Sequence, residues 1–189
     1  QLKQADIYSH LISDHYHYFE DGGSTYHTRY STWSFIRGQE SDPWVAMVEP
    51  PLERFRKTYH PIQYEDKRDG HRLQGMINRS VIKNEKDFPV VQCVDEALAF
   101  IRQNGNAENW IMQMETFDPH EPFFVPEGYQ TEDSGYRGPI LNWPRYRNVE
   151  ESKEEIAELK LNYAALVSFC DFQLGRILDF FDAEDLWSD

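Results

Sequence analysis

Two short clusters carry the side chains best suited to chemistry. One is Asp14-His15-Tyr16-His17, followed by Glu20, Asp21 and His27; the other is Asp118-Pro119-His120-Glu121-Pro122. An imidazole titrates near neutral pH, so it can accept a proton, return one to a leaving oxygen, or donate to an oxyanion. Prolines on both sides of His120-Glu121 are expected to hold the backbone extended and to lower the entropy of aiming the ring outward. A purely structural turn is the plainer alternative. In the first cluster three readings stay open. His15 and His17 point to opposite sides of an extended chain, so both reach one metal ion only through a turn. A single histidine there could contact an anion or substrate, or both could be hydrogen-bonded members of an aromatic packing cluster.

Other arrangements fail on type or spacing. Cys93 precedes Val94-Asp95 and Cys170 precedes Asp171-Phe172, so neither heads a nucleophile motif, and both read as buried thiols in helical sequence. GxSxG, P-loop, GxGxxG, CxxC and HExxH patterns are all absent. Glu154, Glu155 and Glu158 read as solvated charge favourable to a helix start. Asp171 breaks an apolar face and reads as a polar contact between helices.

The elements that must position these clusters follow from periodicity. Residues 5–14 are β-branched and apolar, a buried strand that delivers Asp14-His15 at its carboxyl end. Residues 15–45 read as ordered, aromatic-rich loop with short pieces of regular structure, punctuated by Gly22-Gly23 and Asp42-Pro43. A helix within 49–60 starts at Pro50-Pro51, with Leu52, Phe55 and Tyr59 on one face. Residues 61–91 read as loop plus a weak helix. Val94–Asn104 is a helix stopped by Gly105, and Trp110–Glu115 is a strand, together an α/β crossover. That strand is expected to be central, with His120 exposed beyond its carboxyl end. The 127–150 stretch is loop. From Ser152 to about Glu184, Ile156, Leu159, Tyr163, Leu166, Cys170, Leu174, Ile177 and Phe181 step by three and four, a long amphipathic helix. Two strands cannot close a sheet or cover two faces, so a partial α/β fold is expected.

Composition sets the class. In 189 residues, 33 Asp and Glu outweigh 19 Lys and Arg, a formal charge of −14, which repels nucleic acid and anionic membrane. No apolar run approaches a bilayer span. At 40% hydrophobic and 15% aromatic, the chain is too apolar for disorder. The opening residues Gln1-Leu2-Lys3-Gln4 show neither an initiator Met nor a signal-peptide pattern, so a piece of a longer chain is expected and the compartment stays open.

Three stretches then become recognisable together. Trp110–Glu115 running into Thr116-Phe117-Asp118-Pro119-His120-Glu121-Pro122-Phe123 resembles the Pro-His-x-Pro stretch of the sulfatase family, in the alkaline phosphatase superfamily. Trp33-Ser34-Phe35-Ile36-Arg37-Gly38-Gln39-Glu40 resembles a stretch common among bacterial sulfatases. The long helix with Tyr163, Asp171, Gly175, Arg176 and Ile177-Leu178 is similar to the family's helix before its late metal-binding strand. The resemblance implies an alkaline-phosphatase-like α/β sandwich and a sulfuric ester hydrolase that uses formylglycine and a calcium-type divalent cation on aryl sulfates or sulfated glycans. It implies that His120 contacts the sulfate and acts in catalysis. It also implies that His15 or His17 takes the imidazole role at the first strand end, His15 by preference, with His17 a second substrate contact.

This chain departs from the family pattern. Ser13-Asp14-His15-Tyr16-His17 stands where Gly-Lys-x-His is usual, so the lysine is missing. No Cys/Ser-x-Pro-x-Arg segment, early Asp-Asp pair or late Asp-His/Asn-Gly occurs, so nucleophile and metal ligands would lie elsewhere in a parent chain. The expectation is therefore residues 1–189 as an internal fragment of one sulfatase catalytic domain, inactive and metal-free alone, pairing with a second copy through exposed sheet edges. Three alternatives remain: a phosphate or phosphonate ester hydrolase of the same superfamily, a non-catalytic acidic carbohydrate-binding module, and a small metalloenzyme using His15, His17 and His27.

Overall fold

The apolar run near the amino terminus forms β1 (Tyr8–Ser13), and two further strands, β2 (Thr32–Phe35) and β3 (Trp110–Glu115), pair with it on either side. The computed structural model describes residues 2–65, 70–130 and 132–188. Both pairings are parallel and the order is β2-β1-β3. The expectation of a central Trp110–Glu115 strand is thus corrected, because β1 is central and β3 flanks it. β2 lies inside the stretch read as loop; four residues of mixed type carry too little alternation to be seen without their partner strand.

Parallel strands need crossovers, and α3 (Pro89–Asn104), preceded by α1 (Leu52–Thr58) and α2 (His71–Arg79), supplies one. α3 is five residues longer at its start than periodicity suggests. Pro89-Val90-Val91 reads as a breaker followed by β-branched residues, yet a proline at the first helical turn loses no hydrogen bond there. Its Cys93 and Ala97 pack with Ile12, Ile36, Met112 and Met114, and its Val94, Leu98 and Ile101 with Trp110 and Phe180. Burying a side chain of this size contributes roughly 1.5–3 kcal/mol.

The described residues form two compact units. The first holds Gln1–Gln39, Glu85–Phe117 and Gln173–Asp189, and so contains the sheet and α3; the second holds Glu40–Asn84 and Asp118–Phe172. In the second, α1 and α2 share a core of Phe55, Tyr59, Leu73, Met76 and Ile77, so the weak helix expected in 61–91 is α2. Residues 66–69 of that stretch lie outside the described residues. Buried Gln63 stitches the loops together: its Oε1 accepts the backbone N–H groups of Asn142 (2.8 Å) and Trp143 (3.0 Å).

The long helix α4 runs from Lys153 to Ala183, as periodicity predicts. Its buried stripe is Asn162, Ala165, Leu166, Phe169, Gln173 and Phe180, about one residue round from the expected one, and Tyr163 and Leu174 are exposed. Apolar residues occupy more than one side of this helix, so spacing alone does not select the packed face. Its first-turn carboxylates are more than solvated charge. Ser152 N–H donates to Glu155 Oε2 (2.7 Å) and Glu155 N–H to Ser152 Oγ (3.2 Å), a reciprocal capping box. Glu155 Oε1 also meets His60 Nε2 at 2.9 Å, and Glu158 accepts from Asn162. Asp171 is exposed rather than in contact between helices. No helix among the described residues is long and apolar enough to cross a membrane.

Candidate functional site

Ser13 and Glu115, the last residues of β1 and β3, are in register, so the chain leaves both strands at one edge of the sheet. Ligands of parallel α/β sheets bind beyond such carboxyl ends. Asp14 is fully buried there, and its Oδ1 accepts the Phe117 backbone N–H at 2.6 Å, fastening one exit to the other. The next residue, His15, donates its backbone N–H to Ser13 Oγ (3.0 Å), and a 3-10 turn at Tyr16–Tyr18 follows.

This turn makes the site. His15 Nδ1 comes 3.3 Å from Glu115 Oε1, and Tyr18 donates its hydroxyl to the same oxygen at 2.5 Å. Gln113 Nε2 donates to Glu115 Oε2 at 3.4 Å, and Gln113 Oε1 in turn accepts from the Tyr30 hydroxyl. Burial, and then Glu115, push the Tyr18 phenol up to about 12, so it remains a donor at any physiological pH. The His15 ring stands edge-on to Phe117 at 4.7 Å and tilted against Tyr18 at 4.4 Å.

His17 lies beside it, the two rings 5.5 Å apart, because the turn replaces the extended chain in which they would diverge. Its Nδ1 pairs with Glu20 Oε1 at 2.7 Å on the same turn. His27 stacks on Phe19 at 4.3 Å. Among the described residues no group of three or more His, Cys, Asp or Glu is placed to hold a metal ion. The calcium-type cation implied by the resemblance therefore finds no ligand set in these residues, and the His15, His17, His27 set is not assembled. Cys93 is fully buried and Cys170 partly so.

His120 belongs to the second unit and His15 to the first. The backbone bends through residues 119–122 rather than running extended, and both Asp118-Pro119 and Glu121-Pro122 peptide bonds are cis. The bend brings His120 Nδ1 within 2.8 Å of the Glu121 carbonyl oxygen, with the ring 38% exposed. Glu121 is buried and its Oε1 has no hydrogen-bond partner among the described residues, an unusual state for a carboxylate in a mere spacer. Phe123 N–H donates to the Asn142 carbonyl at 2.7 Å and anchors the loop's exit.

Sequence reasoning missed Glu115, Tyr18 and Arg79. Glu115 carries one legible signal, its place as the last residue of a strand expected to end at a site. Arg79, at the end of α2, carries none. Its guanidinium lies 4.0 Å over the Phe124 ring and Nη1 donates to Asn142 Oδ1 at 3.2 Å. Burial lowers it to about 10, with Tyr59 and Asp118 opposing the shift. A pocket of about 570 Å³ lies at the amino-terminal ends of the strands, lined among others by Tyr8, His10, Thr32, Phe100, Gln103 and Trp110. None of the predicted site residues lines it. Neither a scan against protein-family models nor a search of curated proteins finds a match for this chain.

Proposed function

We propose that this chain is an internal segment of a sulfatase catalytic domain of the alkaline-phosphatase type, and that the whole enzyme hydrolyses sulfate monoesters, aryl sulfates or sulfated glycans. The observation that carries the reading is the parallel sheet whose central and flanking strands both end at a histidine–carboxylate cluster, the position where sheets of this class bind ligands. The loop bearing His120 follows β3 in sequence and fixes its ring through Nδ1, which suits an imidazole that must meet one substrate oxygen.

In this reading the formylglycine nucleophile and a calcium-type cation come from other parts of a longer chain. His15 moves a proton at the nucleophile or leaving oxygen. His120, when protonated, donates from Nε2 to a sulfate oxygen, where fixed donors stabilise developing charge. With no lysine beside His15, the clamp here leans on imidazoles. The fragment alone turns over no ester.

Tandem mass spectrometry of the full-length parent tests this. A Cys/Ser-x-Pro-x-Arg peptide carrying formylglycine supports the reading. A parent with no such peptide ends it, and leaves a phosphoester-cleaving relative with another nucleophile or a protein that only binds.

A further inference from the structure

We propose that Glu115 is a positioning residue that holds His15 as its Nδ1–H tautomer, so that His15 Nε2, and not His17, is the atom that exchanges a proton. What that proton serves rests on the hydrolase reading above; the tautomer itself stands on geometry. An ionised carboxylate can only accept, so the 3.3 Å contact requires Nδ1 to carry the proton and leaves the ring's lone pair on Nε2. Both Glu115 oxygens are occupied as acceptors: Oε1 also accepts the Tyr18 hydroxyl, and Oε2 accepts the Gln113 amide. Phe117 and Tyr18 flank the imidazole and resist its rotation, and the His15 backbone is pinned by Ser13.

The contrast with His17 is physical. Its partner Glu20 lies three residues away on the same turn, and the two side chains are 39% and 44% exposed. Such a pair is worth little and moves with its turn. Glu115 comes from a strand about a hundred residues later, hydrogen-bonded to β1 along its length. Among the described residues, the His15 ring meets the titratable groups Glu115 from β3 and His17 and Tyr18 from the turn. In the step itself, a substrate or nucleophile O–H bond breaks and an Nε2–H bond forms. The positive charge stays on the imidazolium beside Glu115, which takes no proton.

Long-range ¹H–¹⁵N NMR of the labelled chain reads the tautomer directly. We expect the His15 Nδ1 shift of a protonated nitrogen and the Nε2 shift of a bare one. Glu115→Gln should move the ratio toward Nε2–H by about tenfold, as loss of one charge-assisted bond predicts. Tyr18→Phe, which spares the carboxylate, should keep the Nδ1–H form. A wild-type His15 in the Nε2–H form overturns the proposal, as does a folded Glu115→Gln chain with an unchanged ratio. In the full-length enzyme, Glu115→Gln should lower kcat with KM unmoved. A parent without ester turnover but with His15 as Nδ1–H removes the hydrolase reading and supports the positioning. The Nε2–H form removes the positioning whatever the enzyme does.

Discussion

Asp14 Oδ1 accepts the Phe117 backbone N–H at 2.6 Å, across 103 residues of sequence, and so ties the exits of β1 and β3 into one edge. Because Asp14 is fully buried, Asp14→Ala leaves that N–H without its acceptor. We expect a loss of about 3 kcal/mol in urea denaturation, the combined scale of a charge-assisted bond and an orphaned donor. Asp14→Asn retains an acceptor and should cost well under half as much. Equal losses for both variants would show that the bond contributes little.

Gly75 sits inside α2, where replacing glycine with alanine ordinarily stabilises a helix by about 1 kcal/mol. Here a Cβ would meet Trp143 Cζ3 at 2.8 Å and the Glu40 carbonyl at 3.1 Å. Trp143 is buried and its ring has little room to retreat. The overpacking cost of about 1–3 kcal/mol should therefore exceed the propensity gain, and Gly75→Ala should lower Tm. A rise in Tm would show that Trp143 gives way.

Glu151 accepts from Arg145 Nε at 2.7 Å, and that guanidinium, then the Glu150 backbone, holds its carboxyl at about 2, well below its ordinary value of 4.5. A carboxylate depressed in the folded state stabilises above its unfolded value, and that contribution is lost as pH falls through the folded one. The second unit should weaken as pH drops from about 4.5 toward 2. Arg145→Met should flatten that dependence in urea titrations at successive pH values. An unchanged slope would remove this pair as a source of acid sensitivity.

Under the proposed sulfatase reading, His120→Ala in a full-length parent should lower the turnover of a sulfate ester by roughly two to four decades, the range for loss of a positioned acid or oxyanion donor. His15→Ala should do comparable damage and His17→Ala little. Steady-state kinetics decides this, and unchanged turnover in His120→Ala would take that residue out of the site.

Several elements were legible in sequence for simple reasons. β1 and β3 are short apolar runs bounded by polar turns, α1 starts directly after Pro51, and α4 repeats its apolar residues every three or four positions over eight turns. The loops carrying His15 and His120 stood out because histidines there follow strands. β2 was invisible because four residues hold almost no period, and the start of α3 because Pro89-Val90-Val91 imitates a strand boundary. The bend at 119–122 was misjudged as extended chain, since proline restricts its own φ without dictating the path of the loop.

Acidity, α/β alternation and the two segments where imidazoles follow strand ends are written in the residues themselves, because charge and period are local properties. Folding had to settle that β1 is the central strand, which side of α4 is buried, and that Glu115 and Tyr18 surround His15 while His17 pairs with Glu20. Those outcomes depend on register between strands far apart in sequence, and register is set by which faces find something to pack against.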